Sequence, residues 1–226
     1  MRKPAKPLTA SLFMTSLLLP DRGLYVITNG PRPDLLEAVN HALVGGARLV
    51  QYRDKTDEST RRHAEAATLL ALCHEHSVPL IINDDIALAH AIGAGGVHLG
   101  EADGNIAEAR NTLGPDAIIG VSCYDSLERG REAVRQGASY IAFGAFFTSP
   151  TKPFARRAST DLLRRSATLG VPRVAIGGIT PDNGADLVAA GADYLAVISA
   201  VFGTADIRAA AQRFSQLYSS DRAASP

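Results

Sequence analysis

At 226 residues the chain is long enough for one domain with a substantial buried core. Lys plus Arg and Asp plus Glu balance at 23 each, so no global field draws nucleic acid, a membrane surface or an acidic partner, and anion binding must be local. Cys73 and Cys123 are the only cysteines, which excludes a disulfide framework or a Cys-rich zinc site and suits a reducing, cytoplasmic setting.

The N-terminal segment superficially resembles an export signal, because Arg2, Lys3 and Lys6 precede an apolar run over 8–19. That run is too short to span a bilayer and is interrupted by Thr9, Ser11, Thr15 and Ser16. Leu18, Leu19 and Pro20 stand where a small-residue cleavage pattern belongs. Residues 1–22 therefore read as a retained extension, or as a short helix covering the bottom of the fold, and residues 220–226 as a C-terminal tail.

From Gly23 onward, short β-branched runs alternate with Ala-rich amphipathic segments, the pattern of repeated strand-helix units around a parallel sheet. Strands are expected at 24–28, 49–53, 80–83, 96–99, 118–122, 140–143, 174–176 and 194–198. Helices are expected at 34–44, 59–76, 86–92, 106–113, 127–136, 160–169, 182–190 and 206–218. Gly45-Gly46, Gly95-Gly96, Gly137 and Gly191 punctuate the ends of helices, where glycine can take the left-handed conformation. Eight units over 23–219 predict a single (β/α)8 TIM barrel, with a long loop at 149–159.

In such a barrel the chemistry belongs at the C-terminal ends of the strands. Strand two ends in Gln51-Tyr52-Arg53-Asp54-Lys55, and alternation puts Gln51, Arg53 and Lys55 on one face, with Tyr52 and Asp54 on the other. Two cations sharing an inner face invite an anion, since a polar inner row is costly without a ligand. Strand three ends in Asn83-Asp84-Asp85, and strand four runs from His98 towards Glu101 and Asp103. Carboxylates gathered beside an anion site suit Mg²⁺, although Asp84 or Asp85 could instead cap the helix at Ile86, and Asp103 could begin the next. His98 is expected to point inward and to bond a site residue, because Val97 and Leu99 would then face the helices.

Strand five ends in Gly120-Val121-Ser122, and strand six leads into Ser149-Pro150-Thr151-Lys152, whose hydroxyls and ammonium suit a phosphate. Gly177-Gly178 after strand seven lets backbone N–H groups approach a phosphate closely, and Ile198-Ser199 after strand eight completes a common barrel phosphate address. Cys73-His74-Glu75-His76 looks like a metal cluster, but it falls at a helix C-terminus, where histidines complement the dipole and a small Cys packs inward. Cys123 has no evident base partner and is not expected to act as a nucleophile.

In this order, Gln51-x-Arg53-x-Lys55, Asn83-Asp84, His98-Leu99-Gly100 with Asp103, Gly120-x-Ser122, Thr151-Lys152, Ile176-Gly177-Gly178-Ile179 and Ile198-Ser199-Ala200 resemble the thiamine-phosphate synthase (thiamine-phosphate pyrophosphorylase) family from Gly23 to about Phe202. The resemblance implies a transferase condensing 4-amino-2-methyl-5-hydroxymethylpyrimidine diphosphate with a thiazole phosphate or its carboxylate, with loss of diphosphate. It implies that the pyrimidine diphosphate is held by Gln51, Arg53, Lys55, Asn83, Ser122 and Lys152, and the thiazole phosphate by Ser149, Thr151, Gly178, Ile198 and Ser199. Mg²⁺ would sit on Asp84 and Asp103, with Lys152, Arg53 and Lys55 assisting catalysis. Two positions depart from the family pattern: Glu101 stands where Gln is usual, and Ser149 where Thr is usual. Two other readings keep the same barrel: a thiazole tautomerase-like paralogue, and a non-catalytic barrel that binds a thiamine precursor and regulates a partner. Small-molecule substrates are expected, without nucleic acid or membrane, and self-association stays open.

Overall fold

The computed structural model describes residues 18–100, 105–148 and 157–219. Eight parallel strands close on themselves in chain order: β1 (Gly23–Ile27), β2 (Ala47–Tyr52), β3 (Leu80–Asn83), β4 (Gly96–Leu99), β5 (Ile118–Tyr124), β6 (Tyr140–Gly144), β7 (Arg173–Ile176) and β8 (Tyr194–Val197). Between and after them lie α1 (Leu35–Val44), α2 (Ser59–Glu75), α3 (Ile86–Ile92), α4 (Ile106–Leu113), α5 (Leu127–Arg135), α6 (Thr160–Arg165), α7 (Pro181–Ala189), α8 (Ser199–Phe202) and α9 (Ile207–Gln216). This is the expected (β/α)8 barrel.

The period-two alternation of the strands sorts their side chains into two cores. One set, including Tyr25, Leu49, Ile81, Ile118, Tyr140 and Tyr194, fills the barrel interior. The other set, including Val26, Val50, Ile82, Val97 and Phe143, packs outward against Val39, Leu69, Leu163 and Phe214. Among the described residues no helix is long and apolar enough to cross a membrane.

Three local expectations need correction. The helix foreseen at 160–169 stops after Arg165 and tightens into a 3-10 turn at Ser166–Leu169, where the buried Ser166 hydroxyl donates to the Leu163 carbonyl at 2.9 Å. A side-chain bond of that kind competes with the regular helix ladder. The left-handed residue ending α3 is Gly93, at φ 70°, rather than Gly95 or Gly96, while Gly46, Gly137 and Gly191 do take positive φ. The single turn α8 follows β8 directly and was not foreseen, since four residues are too few to display helical periodicity.

Candidate functional site

The strand ends separate as alternation predicts. At the end of β2, Tyr52 faces the helices, where its hydroxyl donates to Glu65 at 2.7 Å, whereas Gln51 is buried towards the interior. Asp54 is buried on the outer side and pairs with Arg61 at 2.7 Å. It also accepts from the backbone and hydroxyl of Thr56, each at 2.8 Å. Burial alone would raise the Asp54 carboxyl, but Arg61 and Thr56 overcome it and hold it below the usual range. These bonds set the turn that carries Lys55. Thr28 secures the backbone of Arg53: its hydroxyl accepts from the Arg53 N–H at 2.8 Å and donates to the Arg53 carbonyl at 3.1 Å. No hydrogen bond or ion pair joins the Arg53 side chain to another described residue.

The two adjacent acids after β3 take different duties. Asp85 is the cap of α3: its carboxylate accepts from Leu88 N–H at 2.8 Å and pairs with Arg62 at 2.8 Å. Asp84 is not a cap. It adopts a left-handed φ of 63°, and its N–H donates to the His98 carbonyl at 2.8 Å. Its carboxylate Oδ2 receives both the Lys55 ammonium and the Asn83 amide, while Oδ1 has no hydrogen bond to another described residue. Lys55, Asn83 and Asp84 thus meet in one open cleft of about 560 Å³. A larger cleft of about 680 Å³, lined by Arg32, His41 and Arg208, contains none of the residues expected to bind substrate. We read the site at the first of the two because the convergent polar groups are there.

Inside the barrel a chain of polar side chains links the strands. The Gln51 amide donates to the Tyr25 hydroxyl at 2.6 Å, and Tyr25 meets the Tyr140 hydroxyl at 2.8 Å. Tyr140 meets His98 Nδ1 at 2.9 Å, and His98 Nε2 meets the Ser122 hydroxyl at 2.9 Å. His98 therefore points inward, as expected, and bonds Ser122, one of the residues expected to hold substrate. Strand register makes the chain feasible: Asn83 lies beside His98, His98 beside Gly120, and Gly120 beside Tyr140. His98 and Tyr140 stand two strands apart and touch only because Gly120, between them, has no side chain. A Cβ there would lie 2.0 Å from the Tyr140 ring. Burial pushes the His98 imidazole down to about 4, against a smaller opposing effect of Asp84, and pushes the Tyr25 and Tyr140 phenols up. Tyr25 and Tyr140 escaped the sequence reading, although a Tyr at an inward strand position is a signal, because its buried hydroxyl needs a partner.

Gly177 and Gly178 follow β7 with φ of 104° and 65°, and Ser199 opens α8 directly after Ile198. A Cβ on Gly178 would lie 2.7 Å from the Thr148 carbonyl and 2.8 Å from Phe147. Gly178 is thus required first by the close approach of the loop after β6. Its own carbonyl accepts from the Asn183 side chain at 3.2 Å, while the same side chain accepts from Thr180 N–H at 2.9 Å. Asn183 was missed too, though Thr180-Pro181-Asp182-Asn183 has the outline of a capping box.

Ser149, Thr151 and Lys152, and the acids Glu101 and Asp103, lie outside the described residues, as do residues 1–17 and 220–226. Among the described residues no group of three or more His, Cys, Asp or Glu side chains is placed to hold a metal ion. Cys73 and Cys123 are buried free thiols, each pushed up by burial to about 12, which fits packing rather than nucleophilic duty.

The family model described as thiamine monophosphate synthase matches residues 24–201. A thiamine-phosphate synthase of Xanthomonas campestris pv. campestris is 53% identical over 194 residues, spanning 85% of this chain and 94% of the relative. One of Thiobacillus denitrificans is 50% identical over 203 residues, spanning 88% and 96%. The solved thiamine phosphate pyrophosphorylase from Pyrococcus furiosus superposes with a TM-score of 0.80 at 35% identity, over 88% of this chain and 96% of that one. With similarity running along nearly the whole barrel, the chain belongs to the thiamine-phosphate synthase family.

Proposed function

We propose that this protein joins an aminopyrimidine carried as its methylene diphosphate to a thiazole phosphate, releasing diphosphate and thiamine phosphate. The observation that carries the reading is that Lys55, Asn83 and Asp84 meet in one cleft at the strand ends of a barrel in this family, with Gln51 and Ser122 at the two ends of the buried polar chain. The bond between the methylene carbon and the diphosphate oxygen breaks, and a bond from that carbon to the thiazole nitrogen forms. An aminopyrimidine releases electron density into the methylene, so departure of diphosphate ahead of attack leaves a delocalised cation. The protein then needs no general base; it must hold the leaving group's charge.

Arg53 and Lys55, with Lys152, supply that charge stabilisation. Gln51, Asn83 and Ser122 orient the pyrimidine diphosphate. Gly178, Ile198 and Ser199, with Ser149 and Thr151, hold the thiazole phosphate where short backbone segments follow β7 and β8. The donor set also fits Mg²⁺: Asp84 has been relieved of capping by Asp85, has an oxygen with no hydrogen bond to another described residue, and stands beside an anion site. Asp103 is the proposed second carboxylate. When bound, Mg²⁺ would offset charge on the diphosphate.

Single-turnover assay of the purified protein with both substrates tests the reading. Thiamine phosphate and diphosphate should appear in equal amounts. Thiazole interconversion without consumption of the pyrimidine would mark a tautomerase, and binding without turnover a regulatory barrel; either would overturn the proposal.

A further inference from the structure

We infer that Tyr25, Tyr140 and His98 form a one-way hydrogen-bond relay that holds His98 as its Nε2–H tautomer and makes the Ser122 hydroxyl a donor to the substrate anion. The inference rests on the proposed role of Ser122 and adds three positioning residues to it.

The argument is a count of protons. Four contacts join five side chains, from Gln51 through Tyr25, Tyr140 and His98 to Ser122. Each phenol has one proton, and a neutral imidazole has one N–H. A phenol that accepted from both neighbours would leave its own proton without an acceptor, in an interior where Tyr25 is 1% and Tyr140 0% exposed. Every contact must therefore run in the same sense.

Two senses exist. In the forward one, the Gln51 amide donates to Tyr25, Tyr25 to Tyr140, Tyr140 to His98 Nδ1, and His98 Nε2–H to Ser122. The Ser122 proton is then free to point elsewhere, and Gln51 keeps its carbonyl oxygen as an acceptor. In the reverse sense Ser122 spends its proton on His98 and presents only lone pairs, while the Gln51 oxygen is already engaged by Tyr25. A diphosphate offers acceptors alone, so only the forward sense lets Ser122 bind it. The amino group of the pyrimidine is a donor and matches the Gln51 oxygen left free in that sense. The orientation of Gln51, with Nε2 towards Tyr25, is the forward one.

Nitrogen-15 spectra of the histidine rings in substrate-free protein test the relay, with His98 assigned by its disappearance in His98→Gln. A protonated Nε2 and a pyridine-type Nδ1 are expected. A protonated Nδ1 would overturn the relay whether or not the protein makes thiamine phosphate, which separates this failure from failure of the functional reading. Tyr140→Phe removes the proton offered to Nδ1, so His98 should become a mixture of tautomers and kcat should fall about tenfold. In a Ser122→Ala background the same change should have little further effect on kcat, because the group it positions is gone. An equal loss in both backgrounds would mean that Tyr140 only supports the fold, and would overturn the relay.

Discussion

Asp84 shows how one residue's backbone can decide its use. With φ at 63° it occupies a region that costs most side chains roughly 1–2 kcal/mol but that Asn and Asp enter more readily. Replacement by Ala would therefore mix a backbone penalty with loss of the carboxylate, whereas Asp84→Asn keeps the conformation and removes only the charge. The variant should melt close to the parent temperature but lose Mg²⁺ affinity and at least about a hundredfold in turnover. Calorimetric Mg²⁺ titration beside a thermal melt checks this; unchanged metal affinity would remove Asp84 from the ligand set. The neighbouring Asp85, occupied by Leu88 N–H and Arg62, should affect α3 and the melt rather than the metal.

At the scale of elements, the segments after β6 and β7 are packed into one unit. Phe146 N–H donates to the Ile176 carbonyl at 3.2 Å and Phe147 N–H to the Gly177 carbonyl at 3.0 Å, and the face of Gly178 is closed by Phe147 and Thr148. A side chain at Gly178 would meet this backbone before it met any phosphate. Because Thr148 leads directly into Ser149, Thr151 and Lys152, which serve both proposed substrate sites, Gly178→Ala should weaken both ligands and not the thiazole phosphate alone. Calorimetry with each ligand decides; an unchanged pyrimidine diphosphate affinity would show that the two segments move independently. The left-handed φ of Gly178 adds a stability cost on the order of 1 kcal/mol.

For the whole molecule, the buried relay couples stability to pH. His98 falls from the ordinary 6.5 to about 4 in the folded protein, chiefly because burial disfavours the cation. As pH drops below about 6.5 the unfolded chain takes up a proton that the folded protein refuses. The contribution of His98 is thus complete above that pH and is lost progressively down to about pH 4, where the folded form also protonates. The full difference is on the order of 3 kcal/mol. Urea midpoints should fall more steeply between pH 7 and 5 for the parent than for His98→Gln, which cannot titrate there. Parallel slopes would show that His98 is not the group responsible.

The barrel was legible in the sequence because strand alternation, helical amphipathicity and glycine punctuation are local, and each records which face of an element is buried. The inward placement of Gln51 and Ser122 was legible for the same reason, because a polar residue on an inward face stands out against its apolar neighbours, whereas the adjacent pair Asn83-Asp84 stood out by its acid and its resemblance to the family motif. Their partners were not. Which of Asp84 and Asp85 caps α3 depends on a backbone φ and on Arg62, from another helix. That Gly120 exists to let His98 reach Tyr140 depends on the register of three strands, and that Gly178 is hemmed in by Phe147 depends on a loop some thirty residues earlier in the chain. Contacts between distant segments leave no periodic trace in the chain, so only closure of the barrel decided them.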